Sequence, residues 1–233
     1  MKISILTLFP QMFDGPFAHS IVKRAQEQNL LEITFVNIRS FGIGTHKTVD
    51  DTPYGGGRGM ILRVDVAAKA IAAAKDKKYK REHVVLLDAR GKTFDQTKAK
   101  ELSRFDHLIL VCGHYEGVDE RIRAFVDEEI SIGDFILTGG EIPAMLITDA
   151  LTRLLPGVLK DGVTQNESFS LMDPTPLLEH PQYTKPQNFN DMSVPEVLLS
   201  GNHAEIETWR KKQSNSITQK HRPDMLKKSS RRR

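Results

Sequence analysis

Five glycines fall within 28 residues of this chain, at Gly113, Gly117, Gly133, Gly139 and Gly140. They occupy two segments, Leu110–Arg121 and Ser131–Glu141, each following an apolar run that reads as a buried strand. Glycine has no Cβ and tolerates positive φ, so such segments let backbone close around a ligand. Ordinary tight turns would also use glycine, but the polar residues interleaved here favour a binding site. A third glycine-rich stretch, Thr52–Met60, lacks the Gly-Lys-Ser/Thr ending of a phosphate loop. It also lacks the G-x-G-x-x-G spacing of a dinucleotide turn, and by itself reads as a surface loop. A Rossmann enzyme carries its glycines directly after the first strand, where this chain has Phe9–Phe13.

The charged candidates each have a plain structural reading. Asp119 and Glu120 suit the positive end of a helix, and Arg153, on the last turn of an apolar helix, suits the negative end. Glu167 stands in a polar stretch where a carboxylate is ordinarily solvated. Cys112 ends a strand and reads as a packed small residue. The eight histidines have no spacing suited to zinc.

The elements that must hold these residues alternate. Strands are expected at Ile3–Leu8, Ile33–Asn37, Val84–Leu87, Leu108–Cys112 and Glu129–Ile132. Helices are expected at Phe17–Gln28, Val64–Ala74, Asp95–Leu102 with Asp95 as N-cap, and Glu141–Leu155 with Pro143 in its first turn. This βα alternation predicts an α/β fold, a mostly parallel sheet covered by helices. The pattern stops near Pro156-Gly157. Residues 159–175 read as a flexible linker, and residues beyond them as a small helical domain with a helix over Ala204–Gln213.

At 233 residues, with 27% charged and 39% hydrophobic positions, the chain reads as a soluble globular protein. Its apolar runs are too short to span a bilayer, and its N-terminus reads as a strand, not a signal peptide. One cysteine excludes an intramolecular disulfide and fits the cytoplasm. Residues 209–233 hold ten Lys/Arg and one Asp, a net of +9, against 23 Lys/Arg and 29 Asp/Glu elsewhere. A basic tail on an acidic body points to a polyanion such as nucleic acid, or to a frayed, solvated terminus.

Taken together, several stretches resemble the bacterial tRNA (guanine(37)-N1)-methyltransferases, a family of the SPOUT class. They are Leu8–Pro10, Thr48–Met60, Leu110–Arg121, Ser131–Pro143, Pro156–Val158, Glu167–Phe169, Pro181–Thr184 and Val197–Ile206, with Trp209-Arg210 and Gln213-Ser214. The resemblance covers nearly the whole chain in order. It implies a deep C-terminal trefoil knot in the α/β domain, against the usual rule. It implies a knotted cofactor domain over 1–160, a linker over 161–175, and a basic helical tRNA-binding domain over 176–233. It implies S-adenosylmethionine as methyl donor, a homodimer with shared active sites, the tRNA anticodon stem-loop as substrate, and no membrane. The family's Mg²⁺ requirement comes with no dedicated protein site in this sequence.

The resemblance also implies residue roles. The methyl donor would be held by Leu86 and Leu87, by Gly113, Tyr115 and Glu116, and by Ile132, Gly133 and Asp134. Phe135, Ile136, Leu137, Gly139, Gly140 and Pro143 complete that set. The tRNA would be held by Asp50, Gly57 and Arg58, by His180 and Tyr183, and by Asn202, Arg210 and Lys211. Glu167 and Arg153 would be catalytic. Guanine N1 must lose a proton to attack a methyl group, which a carboxylate can take as general base. The negative charge then growing on O6 can be met by a guanidinium.

Three departures from the family pattern stand out. Glu167 is one methylene longer than the family's Asp before Ser-Phe. Asp88-Ala89-Arg90 replaces Ser-Pro-Gln. The linker is several residues longer, which makes Asp173 a second candidate base. They leave two other functions to weigh, a catalytically impaired knotted RNA-binding protein and a knotted ribose 2′-O-methyltransferase.

Overall fold

The structure is a computed structural model that describes residues 1–170 and 176–227. The chain divides into two compact units, Met1–Leu159 and Lys160–Arg233.

In the first unit, strands β1 (Lys2–Thr7), β2 (Glu32–Asn37), β5 (Glu82–Thr93), β6 (His107–Cys112) and β7 (Glu128–Ser131) form one sheet in the order β2-β1-β6-β5-β7. Every pairing in it is parallel. The central strands are covered on both faces, which is why β6 reads as an unbroken apolar run. Leu108, Leu110 and Cys112 pack with helices α1 (Ser20–Glu27), α3 (Gln96–Leu102) and α4 (Glu141–Thr152) through Val22, Ala25, Ala99, Leu102, Ile147 and Leu151. Ile109 and Val111 face the other way, toward Val66, Ala70 and Ile71 of α2 (Val64–Ala74). Asp95 caps α3 by accepting from Lys98 N at 2.9 Å.

Some elements differ from the expectation. Helix α1 starts only at Ser20, because Phe17 is used in the preceding turn, packed on Phe13 at 5.6 Å between ring centroids. A small antiparallel pair, β3 (Asp50–Asp51) and β4 (Ile61–Leu62), is too short to carry a periodic signal. Strand β5 extends well past Leu87. Both Leu87 and Lys92 pair with Ile130, so residues 88–91 leave the strand as a loop and return beside β7. Gly91 permits that return, since a Cβ there would lie 2.4 Å from Ile130 N.

In the second unit, Val163–Gln165 forms a 3₁₀ turn, and Glu167–Ser170 a turn closed by Ser170 N donating to Glu167 O at 3.1 Å. Two short strands follow, β8 (Asn188–Phe189) and β9 (Met192–Ser193), then α5 (Glu196–Leu199), α6 (His203–His221) and α7 (Pro223–Lys227). Helix α6 runs eight residues beyond the expected Gln213. Its buried positions there are the polar Ser214 and Thr218, so an apolar pattern could not reveal them. The Thr218 hydroxyl donates to Ser214 O at 2.7 Å and accepts from Leu178 N at 2.9 Å.

Candidate functional site

Three segments, one at the break in β5 pairing after Leu87 and two at the carboxyl ends of β6 and β7, enclose a cavity of about 380 Å³. Residues 87–90 form one wall, 113–118 a second and 130–140 a third, with Pro143 of α4 at the base. Gly140 donates its N–H to Gly113 O at 2.8 Å, and His114 bridges to Gly139. The two glycine segments are therefore adjacent in space. A larger open groove, about 1200 Å³, lies at the amino ends of the strands. Much of its charge is already paired, Arg81 with Asp106 and Lys2 with Glu32, so the glycine-built cavity is the better ligand site.

Of the residues expected to hold a donor, Leu87, Gly113, Tyr115, Glu116, Ile132 and Gly133 line this cavity. So do Phe135, Ile136, Leu137, Gly139, Gly140 and Pro143. Leu86 does not: its side chain is fully buried in the core. Asp134 is exposed and does not line the cavity either.

The first glycine segment also meets the end of the Thr52–Met60 stretch and β4 just after it. Glu116 N donates to Met60 O at 3.1 Å, Leu62 N to Gly117 O at 3.1 Å, and Asp119 N to Leu62 O at 3.0 Å. Asp50 sits in β3, half-buried, while Gly57 and Arg58 are exposed in the loop beyond it.

Two features escaped the sequence reading. Glu141, at the start of α4, is 2% exposed and accepts from the Thr7 hydroxyl at 2.7 Å. Thr7 Oγ1 in turn accepts from Phe9 N at 2.9 Å. The expected first strand and the Gly139-Gly140 turn are thereby tied together, a long-range contact without local signature. The other feature is Arg123, which pairs with Asp88, Glu120 and Glu129. Arg123 holds the Glu120 carboxyl below its ordinary value. Arg121 does the same to Asp119 across a 2.7 Å pair.

Arg153 caps the C-terminus of α4 and is half-buried. Glu167, half-buried, opens its turn in the second unit. Phe169 N donates to Leu177 O at 3.0 Å and Glu179 N to Ser168 Oγ at 2.9 Å, so that turn is held from both sides. Asp173 lies outside the described residues, as do the last six positions of the basic tail. On α6, Arg210, Lys211 and Lys212 are exposed, and Asn202 is the N-cap. His180 and Tyr183 both have ring centroids 6.4 Å from that of Trp209. Among the described residues, no group of three or more His, Cys, Asp or Glu is arranged to hold a metal ion. No helix among them is long and apolar enough to cross a membrane.

A parallel α/β sheet with a glycine-built cavity beside its strand ends is the arrangement in which open α/β proteins take small ligands. The chain belongs to the tRNA (Guanine-1)-methyltransferase TrmD family, whose model matches residues 1–228. It is 54% identical over 229 residues to the tRNA (guanine-N(1)-)-methyltransferase of Carboxydothermus hydrogenoformans, covering 97% of this chain and 88% of that protein. The enzymes of the same name from Dehalococcoides mccartyi and Bacillus pumilus are 51% and 50% identical, covering 98% and 97% of this chain and 91% and 92% of theirs.

Proposed function

We propose that this protein transfers a methyl group from S-adenosylmethionine to N1 of guanine 37, 3′ of the anticodon, in tRNAs with a preceding guanine. The observation that carries this reading is the cavity built by the two glycine segments, in a chain of this family. The names of the relatives specify guanine N(1), which favours this reading over ribose methylation or RNA binding alone.

The cavity residues fit the donor. Its walls combine apolar side chains of Leu87, Ile132, Phe135 and Leu137 with approachable backbone at Gly113, Gly139 and Gly140, and Glu116 can meet a cationic group. Bound there, the sulfonium supplies an electrophilic methyl group that needs little further activation. The chain's own task is then to align the guanine and manage its proton. Glu167 takes the proton from N1 as general base. Arg153 offers its guanidinium to the charge that grows on O6. Mg²⁺ used in catalysis would be carried with the RNA or recruited by the active-site carboxylate.

The trefoil knot belongs to the same reading, with residues 1–160 as the knotted cofactor domain. Its support is the close convergence of the 87–90, 113–118 and 130–140 segments. The homodimer with shared active sites belongs to it as well. Ile136, Ile142 and Leu146 are 84%, 47% and 44% exposed beside the cavity, an apolar surface suited to a second copy. Residues 161–175 link the donor site to a tRNA-binding domain over 176–233. There Arg210 and Lys211 meet phosphates, which gives affinity without sequence selection. Asp50, Gly57, Arg58, His180, Tyr183 and Asn202 complete the grip on the anticodon stem-loop, whose target base is flipped into the site. The enzyme works in the cytoplasm, where its tRNA is.

The test is incubation with labelled S-adenosylmethionine and a tRNA transcript carrying guanine 37, followed by nucleoside analysis. N1-methylguanine is expected. Tight tRNA binding without incorporation would overturn the enzymatic reading in favour of an RNA-binding protein.

A further inference from the structure

Arg123, in the 3₁₀ turn that follows the 113–118 segment, pairs with one carboxylate of the first wall, one of its own turn and one just before the third wall. Its Nη2 lies 3.3 Å from Asp88 Oδ2, in the loop that leaves β5. Its Nε lies 2.9 Å from Glu120 Oε1, just beyond the 113–118 segment. Its Nη1 pairs with Glu129 of β7, immediately before the 130–140 segment. Both Arg123 and Asp88 are mostly covered, with side chains 18% and 14% exposed, so solvent screens their pair less than a surface pair. A second arginine closes the ring: Arg90 Nη1 lies 3.1 Å from Glu120 Oε2, and its backbone N–H donates to Asp88 Oδ1 at 2.9 Å.

The first wall needs such a tie. Residues Asp88-Ala89-Arg90-Gly91 hang off the sheet between two pairings with the same residue, Ile130. They contain no proline to restrict the backbone and end in a glycine that loosens it. Asp88, Ala89 and Arg90 nonetheless line the cavity. Left untethered, this wall would have to be ordered each time a ligand entered, at an entropic cost to affinity.

We propose that Arg123 is a positioning residue for the methyl-donor cavity, tying the turn that follows its second wall to the first wall through Asp88 and to the start of the third through Glu129. It touches no reacting atom. The inference rests on the reading of this cavity as the S-adenosylmethionine site. Because the walls bind the donor whether or not chemistry follows, loosening them acts on donor affinity and leaves the chemical step alone. A role in fold stability alone would move neither donor affinity nor the balance between KM and kcat.

The experiment compares full-length wild type with Arg123→Met, Arg123→Lys, Asp88→Asn and the double variant Arg123→Met/Asp88→Asn. Donor affinity is read by calorimetry, KM and kcat by methyl transfer, and folding by thermal melts. Arg123→Met is expected to raise the donor Kd and KM roughly tenfold, with kcat at saturating donor within about twofold of wild type. Arg123→Lys, which keeps the charge without the planar fork, should recover part of that loss. The double variant should be no worse than Arg123→Met alone, because both changes break the same ion pair. Asp88→Asn, the milder change, provides a readout should Arg123→Met fold poorly. Wild-type donor affinity in both Asp88→Asn and Arg123→Lys, with a lower melting temperature only, would overturn the proposal. If the wild-type protein itself bound no donor, the cavity assignment would fail instead.

Discussion

Gly140 donates its backbone N–H to Gly113 O at 2.8 Å, so close to the end of β6 that a Cβ on Gly140 would lie 2.6 Å from Cys112 Cα. The contact is backbone against backbone, and no side-chain movement can relieve it. It joins the end of the central strand to the start of α4 and brings both glycine segments to one cavity.

Gly140→Ala should therefore damage the donor site more than a typical surface change. Overpacking of this kind costs on the order of 1–3 kcal/mol and displaces backbone. The expected outcome is a lower melting temperature together with a donor affinity reduced about tenfold or more. Calorimetric titration with S-adenosylmethionine checks it, and an affinity equal to wild type would show that the turn can shift without consequence.

Glu167→Gln and Arg153→Ala should separate chemistry from binding. Loss of a general base costs about 10²–10⁴ in turnover, and loss of a charge-stabilising donor about 10²–10³. Donor affinity should stay within about twofold of wild type, since neither residue lines the cavity. Single-turnover methyl transfer measures the first effect and calorimetry the second. Full activity of Glu167→Gln combined with an inactive Asp173→Asn would transfer the base role to Asp173.

The basic tail makes a claim about salt. Removing residues 228–233 takes away Lys228 and three arginines while sparing Met225, which is 6% exposed and packed. Affinity for tRNA should fall, and the slope of log affinity against log salt should flatten by about 0.7–0.9 for each phosphate no longer neutralised. Binding titrations at several salt concentrations test this. An unchanged slope means that the tail does not meet phosphate.

Stability should depend on pH through His107. This side chain is fully buried, with Nε2 2.8 Å from Ser4 Oγ, Nδ1 2.9 Å from Glu82 Oε2, and the Tyr79 ring at 4.8 Å. Burial pushes its pKa down, only partly offset by Glu82, and the Lys2 charge pushes the same way as burial. The unfolded chain then binds a proton near the ordinary histidine value of about 6.5, before the folded one does. His107 thus favours the fold above that pH and ceases to do so as pH falls toward its depressed folded value. His180, lowered by burial and by Arg210, acts in the same direction. Melting temperature should drop as pH falls below about 6.5, and the drop should shrink in His107→Gln.

The parallel sheet was legible because its strands are apolar runs and its helices carry caps or alanine-rich faces, as at Asp95 and Val64–Ala74. The cavity was legible through glycine spacing. What sequence could not reveal was long-range and polar. Thr7 and Glu141 are 134 positions apart, and neither sits in a pattern that marks it. Arg123 lies in a short 3₁₀ turn, where nothing local distinguishes a guanidinium that gathers three carboxylates from a solvated one. Helix α6 outran its expected end because its buried side chains, Ser214 and Thr218, are hydroxyls within the unit, and Thr218 bonds back to Ser214 O.

The central claim is attack by guanine N1 on the methyl group of S-adenosylmethionine. The most direct test gives the protein two otherwise identical tRNA transcripts, one with guanine and one with adenine at position 37, with labelled donor. Label should enter the guanine transcript alone and be recovered as N1-methylguanine. Equal labelling of both transcripts would place the methyl group on a site they share, such as the ribose, and contradict the account.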